Sequence, residues 1–178
     1  STRKEQIRVL VDVAREGDVD AFTEVLIANL EVIDGKDDRS CGLTALMHAS
    51  SQGRTVTVQL LLDHGALVDM QNDRGETALM RASSYGHTAT VHLLLDHGAQ
   101  ANIQDNYGLT ALINASYDGH TAIVQLLLDH GAQVDIQNNN GRTALMLAVQ
   151  NDKFGVIQVL MEHKALLLSD DAALEAYS

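Results

Sequence analysis

Apolar residues recur along the chain in short blocks that follow a helical spacing, separated by polar stretches that contain glycine. In one block Val91, Leu94 and Leu95 occupy positions i, i+3 and i+4, which is typical of a helix with one buried side. The block before it begins at Thr77, which suits a helix N-cap, and ends at Gly86, which suits a left-handed helix end. The pattern therefore predicts pairs of short α-helices joined by turns.

The same pattern repeats every 33 residues. Thr-Ala-Leu occurs at Thr44, Thr77, Thr110 and Thr143, and Leu-Leu-Leu-Asp-His-Gly-Ala occurs at 60–66, 93–99 and 126–132. A fixed period of about 20–50 residues indicates stacked units that share one continuous core. Isolated helices shorter than about 12–15 residues are marginal in water, so these helices depend on stacking. The chain is predicted to be one elongated array.

The repeated unit resembles the ankyrin repeat. The resemblance rests on Gly-x-Thr-Ala-Leu-Met-x-Ala-Ser-x-x-Gly-His followed by Val-x-Leu-Leu-Leu-Asp-His-Gly-Ala. Four units match strongly from about Gly42 to Ala165, and Arg3 to Asp34 matches weakly as a divergent first unit. The resemblance implies an all-α solenoid of helix–turn–helix units with hairpin-like finger loops.

We assign the whole chain to a single ankyrin-like domain. Its parts are a divergent N-terminal unit (1–41), three full units (42–74, 75–107 and 108–140), and a divergent C-terminal unit with a tail (141–178). Asp152 and Lys164 replace the two helix-ending glycines of the last unit, and Asn29 replaces one in the first. If Lys164 is left-handed, Lys164→Gly should stabilise the fold. Ser169 to Leu174 is expected to cap and start a further short helix.

Composition and charge narrow the classes of function. The single cysteine, Cys41, cannot form an internal disulfide, which favours a reducing compartment, the cytoplasm or the nucleus. With 24 acidic and 12 basic residues the net charge is −12, so a duplex phosphate backbone would be repelled. Apolar runs fall far short of the roughly 18 residues that span a bilayer. We expect no nucleic-acid partner and no membrane insertion; the acidic surface serves solubility or favours basic partners.

The histidines are candidates for a metal site. His64, His97 and His130 recur in the Asp-His-Gly turn, where an imidazole suits the negative end of a helix dipole. A metal site needs three or four ligands that converge on one point, which one histidine per unit does not provide. The resemblance implies a structural hydrogen-bonding role for His87 and His120. We expect no metal ion and no cofactor.

The repeat brings no nucleophile and base together. Cys41 has no histidine fixed beside it, and Asp37 and Asp38 lie close by in sequence, so we expect an ordinary exposed thiol. Glycines end helices and never form a phosphate-binding cluster ahead of one. We therefore expect no catalytic residues and no enzymatic activity.

The units differ mainly on one predicted surface. The resemblance implies a concave face formed by the finger tips and the exposed side of each first helix. Three of the four tyrosines fall on it, and tyrosine is favoured at binding hot spots. The residues expected to bind a partner are Tyr85, Tyr107, Tyr117, Arg81, Arg74, Asn114, Leu109 and Gln104. Sequence drift at exposed positions, or large side chains that cover the groove between helices, would explain the same pattern.

We expect the three tyrosines to frame one amphipathic pocket over the second and third full units, flanked by Arg81 and Asn114. Such a pocket suits an apolar anchor from a partner segment, whose backbone or carboxylate would bond to the phenol groups and Arg81.

The expected function is a non-catalytic module, monomeric, that binds a partner protein or peptide on its concave face. Two other classes stay open. One is a designed or structural scaffold without a natural ligand, which the near-identity of the units favours, although recent duplication explains that equally well. The other is a regulatory ankyrin domain of a larger enzyme or receptor. Because the chain begins abruptly at Ser1, we expect it to be a piece of a longer protein.

Overall fold

The computed structural model describes residues 2–164 of the chain, and the predicted helix start at Ser169 to Leu174 lies outside them. The helices are α1 (Arg3–Glu16), α2 (Val19–Ala28), α3 (Ala45–Ser51), α4 (Thr55–Asp63), α5 (Ala78–Ser84), α6 (Thr88–Asp96), α7 (Ala111–Asp118), α8 (Thr121–Asp129), α9 (Ala144–Gln150) and α10 (154–164). A 3₁₀ helix, Leu30–Val32, follows α2. Between residues 2 and 164 there is no β-strand, only an isolated bridge from Asp37 to Leu43. The all-α prediction is confirmed.

The helices form two layers that follow the repeat. The first helices of the units, α1, α3, α5, α7 and α9, pack side by side, and α2, α4, α6 and α8 form a parallel row behind them. Repeated leucines and alanines fill the space between the layers. Leu79 and Leu112, for example, are each 1% exposed. The hydrophobic core is therefore continuous along the stack, as the fixed period predicts.

A threonine caps the start of each first helix in the four strongly matching units. The side-chain oxygens of Thr44, Thr77, Thr110 and Thr143 each accept a hydrogen bond from the backbone N–H three residues later, at 3.2–3.3 Å. Gly86 follows α5 with φ of +78°, in the left-handed region expected from the sequence. These local signals place the helix starts and ends because they satisfy backbone groups that the helix itself leaves free.

The repeated histidines have the structural roles expected of them. The Nε2 atoms of His87 and His120 each lie 3.0 Å from a backbone carbonyl oxygen of the preceding unit, at Ser51 and Ser84. The Nδ1 atoms of the histidines in the Asp-His-Gly turn each lie 2.8–2.9 Å from the carbonyl oxygen four residues earlier. One set therefore links neighbouring units, and the other caps the ends of the second helices.

The three substituted glycine positions differ in conformation. Asp152 is left-handed, with φ of +54°, like the glycines that it replaces. Lys164 is instead helical, as the last described residue of α10, so the expectation of a left-handed helix end there is wrong. Asn29 is not left-handed either: its φ is −134°, and the chain continues into the 3₁₀ helix.

Glycine substitutions at the two C-terminal positions are expected to have opposite effects. Asp152→Gly should stabilise the fold by up to about 1 kcal/mol, because glycine adopts the left-handed conformation without the steric strain of an L-residue. Lys164→Gly should cost about 1 kcal/mol, since it puts glycine in a helix and removes the 2.7 Å contact from Lys164 Nζ to Asp135 Oδ1. Urea denaturation of both variants measures the two free energies. A stabilised Lys164→Gly variant would mean that α10 ends at Lys164 in solution.

The finger loops are closed like hairpins and joined to one another. A backbone hydrogen bond of 2.9 or 3.0 Å closes the base of each of the three full fingers. Between fingers, the backbone N–H of Asn106 donates to the carbonyl of Arg74 at 2.9 Å, and that of Asn139 donates to the carbonyl of Tyr107 at 3.0 Å. The finger tips that carry Arg74 and Tyr107 are therefore held at fixed positions along the stack.

Candidate functional site

One position on the first helices carries a different residue in every strongly matching unit. It is the fourth residue after the capping threonine, and its occupants are His48, Arg81, Asn114 and Leu147. All four side chains are partly buried, and the last three line surface pockets together with finger residues. We call these four residues the variable row. The capping and core positions around it repeat, so the variable row changes the surface chemistry along the stack, together with the positions of Glu76 and Tyr85, which also differ between units.

A polar pocket of about 300 Å³ surrounds Arg81, and we call it the arginine pocket. Its lining residues are Ser40, Cys41, Leu43, Asn72, Arg74, Glu76, Arg81 and Tyr85. The Arg81 side chain is 17% exposed, and its Nη1 donates to Glu76 Oε2 at 3.1 Å. Its guanidinium carbon lies 5.7 Å from the centroid of the Tyr85 ring, a cation–π distance. Arg81 is thus held between an acidic and an aromatic neighbour.

Part of the hydrogen-bonding capacity of the arginine pocket is unused. The Nε–H of Arg81 is buried and has no acceptor among residues 2–164. Arg74 is exposed at the finger tip and forms no ion pair within the described part of the chain. Glu76 is the single carboxylate that lines the pocket, and it also accepts a hydrogen bond from Asn72 Nδ2 at 2.7 Å. The pocket therefore has two guanidinium groups against one carboxylate, in a chain with a net charge of −12.

His48 occupies the variable row beside this pocket, with its Nε2 3.3 Å from Ser40 Oγ. Burial lowers the pKa of His48, and the positive charges of Arg81 and Arg15 lower it further. Asp37 and Asp12 act in the opposite direction but are weaker. The imidazole is therefore neutral at pH 7 and leaves the positive charge of the pocket to the arginines.

The lowered pKa of His48 makes stability depend on pH. Because the folded state disfavours protonation of His48, the unfolded chain takes up this proton first, from pH 6.5 downwards. Stability should therefore fall as the pH drops from 6.5 towards the lower pKa of the folded state. We expect His48→Gln to lose less stability than the wild type over that range, as measured by urea denaturation at several pH values. An unchanged pH dependence would show that His48 is not the group responsible.

A second, more apolar pocket of about 320 Å³ lies further along the same surface. Its lining residues are Ser84, Leu109, Ile113, Asn114, Tyr117, Asp118, Asn138 and Leu147. Ile113 is buried, and Leu109 and Leu147 are partly buried, so apolar side chains line its inner surface. Ser84 Oγ donates to Asp118 Oδ2 at 3.0 Å on its polar edge. We call this the leucine pocket.

The two pockets share three repeat positions, two units apart. Leu43 in the arginine pocket corresponds to Leu109 in the leucine pocket, 66 positions later, and Asn72 corresponds to Asn138 in the same way. The third shared position is in the variable row, where Leu147 takes the place of Arg81, and the other five lining residues of each pocket occupy different repeat positions. Leu147, Leu43 and the two asparagines are not among the residues predicted to bind a partner, although their 33-residue register is a signal that identifies them.

The three candidate tyrosines lie in different surroundings in the structure. Tyr85, Tyr107 and Tyr117 are 59%, 63% and 51% exposed, respectively. Tyr85 lines the arginine pocket, Tyr117 lines the leucine pocket, and Tyr107 lines neither. The expectation of one pocket framed by all three tyrosines is therefore wrong. Tyr85 directly follows α5 and Tyr117 lies in the adjacent helix α7, but the two side chains line different pockets.

The other predicted site residues also separate into groups. Arg74 and Arg81 lie in the arginine pocket, and Leu109 and Asn114 lie in the leucine pocket. Gln104 lines neither, and its side-chain Nε2 donates to the carbonyls of Gly108 at 2.8 Å and Gln137 at 3.1 Å. Its amide therefore ties neighbouring fingers together.

Other features of the described residues offer no competing site. A larger depression of about 620 Å³ follows α8 and reaches His163, but no member of the variable row lines it. Within residues 2–164, no three His, Cys, Asp or Glu side chains are grouped so as to hold a metal ion. No helix in the same range has the length and apolar character needed to cross a bilayer. Cys41 is an exposed free thiol with φ of +55°.

Comparison with known protein families returns the pattern already suggested by the repeat. The family model described as ankyrin repeats, in three copies, matches residues 10–105 and 97–171. The two matched segments together run from residue 10 to residue 171, so they include both pockets and the whole variable row.

Proposed function

Since the chain belongs to the ankyrin-repeat family, whose members generally mediate protein–protein interactions, we propose that its concave face binds a partner protein or peptide. The variable row is the main support for this proposal. Four partly buried positions in equivalent places carry histidine, arginine, asparagine and leucine, while the capping and core positions around them repeat. Solubility alone would not require partly buried side chains of different charge and polarity at these equivalent positions.

The exposed tyrosines support the same proposal. Tyr85 and Tyr117 each place more than half of their surface in solvent at the edge of a pocket. Tyrosine contributes a large contact area with little loss of side-chain entropy, so it is enriched at interface hot spots. The ankyrin-repeat fold is typically non-catalytic, and we propose no enzymatic role for this chain.

We further propose that the chain works as a monomer in the cytoplasm or nucleus. The free thiol of Cys41 is compatible with a reducing compartment. The finger loops pair with one another along the stack, so the described residues present no long strand edge that a second copy could extend.

Affinity capture with matched variants tests the proposed function. The wild type, a Tyr85→Ala/Tyr117→Ala variant and a Val56→Ala/Leu67→Ala variant would each be used as bait in the same cell extract. Val56 and Leu67 are each 58% exposed and line neither pocket, so they control for loss of exposed apolar surface. We expect proteins retained by the wild type and the control to be lost from the tyrosine variant. Identical retention by all three would contradict binding at the concave face and favour a scaffold without a ligand there.

A further inference from the structure

We propose that the arginine pocket is a carboxylate-binding site, which takes an aspartate or glutamate side chain of a partner peptide whose apolar side chain fills the leucine pocket. This inference rests on the proposed function, and it adds the chemical class of the partner. It assigns separate tasks to two pockets that share three repeat positions.

The Arg81 guanidinium has unused hydrogen-bond donors. Arginine has five N–H donors, and Arg81 uses one of them on Glu76. Its Nε–H is buried without an acceptor in the described residues, which is a costly state for a polar group. A partner carboxylate would supply that acceptor once the Arg81 side chain turns its Nε and Nη2 edge towards the pocket, and it would form the two-bond geometry that guanidinium groups favour. Arg81 therefore has a buried donor, unpaired among residues 2–164, that an acidic ligand would satisfy.

The charged side chains that line the arginine pocket leave it with a net positive charge. Arg74 and Arg81 contribute two positive charges, Glu76 contributes one negative charge, and the adjacent His48 is neutral at pH 7. The surplus is one positive charge, which matches a carboxylate better than a phosphate group with a charge of about −2. Arg74 is also preplaced by the hydrogen bond that its carbonyl receives from Asn106, so binding does not need to order that part of the finger.

The two pockets differ in the residue that occupies the variable row. Leu147 takes the position of Arg81 in the leucine pocket, so the side chain at that position offers apolar surface instead of hydrogen-bond donors. A segment lying along the variable row would therefore meet a cationic pocket and, two units later, an apolar one. The net charge of −12 would repel a generally acidic partner, so the acidic group must be local and the rest of the partner neutral or basic.

Selection from a random peptide library displayed on phage tests this inference. Wild type and Arg81→Leu would be used as targets in parallel, with Arg3→Leu as a control that removes the same charge at the start of α1. We expect the wild type and Arg3→Leu to enrich peptides that share an acidic residue at a fixed separation from an apolar one. Arg81→Leu should retain the apolar preference and lose the acidic one.

A consensus peptide from the wild-type selection then gives a quantitative test. Changing its acidic residue to the corresponding amide should weaken binding to the wild type about tenfold, the order expected for a charged hydrogen-bonded pair. On Arg81→Leu, the acidic and amide peptides should bind equally. Arg81→Lys keeps the charge but lacks the forked donors, so it should discriminate less than the wild type. Thermal melts of each variant check that the fold is retained.

Each outcome bears on a separate claim. Wild-type peptides without a shared acidic residue, or an amide peptide that binds the wild type as well as the acidic one, would overturn the carboxylate site. Those results need no Arg81 variant, so they hold even if Arg81→Leu does not fold. If the wild type enriches no peptide that the Tyr85→Ala/Tyr117→Ala variant fails to bind, the proposed function itself is wrong.

Discussion

Replacing Tyr85 and Tyr117 together with alanine is expected to weaken binding of a concave-face partner by at least about 2 kcal/mol, the threshold for hot-spot residues. The two rings line different pockets, so their contributions should be close to additive. Both side chains are more than half exposed, so the free energy of unfolding should change by no more than about 0.5 kcal/mol per residue. Titration calorimetry with a captured partner or a selected peptide measures the change in binding free energy, and urea denaturation measures the change in the free energy of unfolding.

The Val56→Ala/Leu67→Ala variant is the matched control for this experiment. It removes similarly exposed apolar surface outside the two pockets and should leave binding unchanged. A lower melting temperature with full binding in the tyrosine variant would mean that Tyr85 and Tyr117 support the fold. The concave face would then need another set of contact residues.

Leu112→Ala is expected to cost about 2–5 kcal/mol of folding stability, the range for truncating a fully buried leucine. Leu112 is 1% exposed and lies in α7, between α5 and α9, so the cavity would open in the middle of the stack. Because each unit contacts only its neighbours, a defect there interrupts the coupling between the two halves of the array.

The repeat provides a matched comparison for this variant. Leu145 occupies the equivalent position of the last unit but is only partly buried, so Leu145→Ala should cost less than Leu112→Ala. Urea denaturation monitored by circular dichroism compares the two. Equal losses would mean that the last unit is as fully covered in solution as the central ones.

The substituted glycine positions show where local sequence signals stop being sufficient. Asp152 and Lys164 both stand where earlier units have a helix-ending glycine, and only Asp152 is left-handed. The residue type does not force the outcome, because either side chain tolerates helical backbone angles and the surroundings decide whether the chain turns. Lys164 continues α10 and contacts Asp135, an interaction between residues 29 positions apart that no local pattern predicts.

The grouping of the candidate site shows the same limit. The 33-residue register identifies which residues are equivalent, so the predicted contact residues Arg81 and Asn114 do line surface pockets. Register does not give the depth or the boundary of a pocket, because these depend on which side chains from neighbouring units meet. Tyr85 and Tyr117 are therefore separated in the structure, although their positions on adjacent helices suggested one shared pocket.

The sequence by itself determined the repeat, the helix pairs, the threonine caps and the surface on which the units differ. Each of these follows from short-range backbone satisfaction or from the spacing of apolar residues along one helix. Only the tertiary structure decided that Arg81 contacts Glu76 and Tyr85 while its buried Nε–H has no acceptor among residues 2–164. Only the tertiary structure, too, placed Leu147 at the corresponding point of a second pocket. These features depend on distances between units, which the stacking of helices fixes and a periodic sequence leaves open.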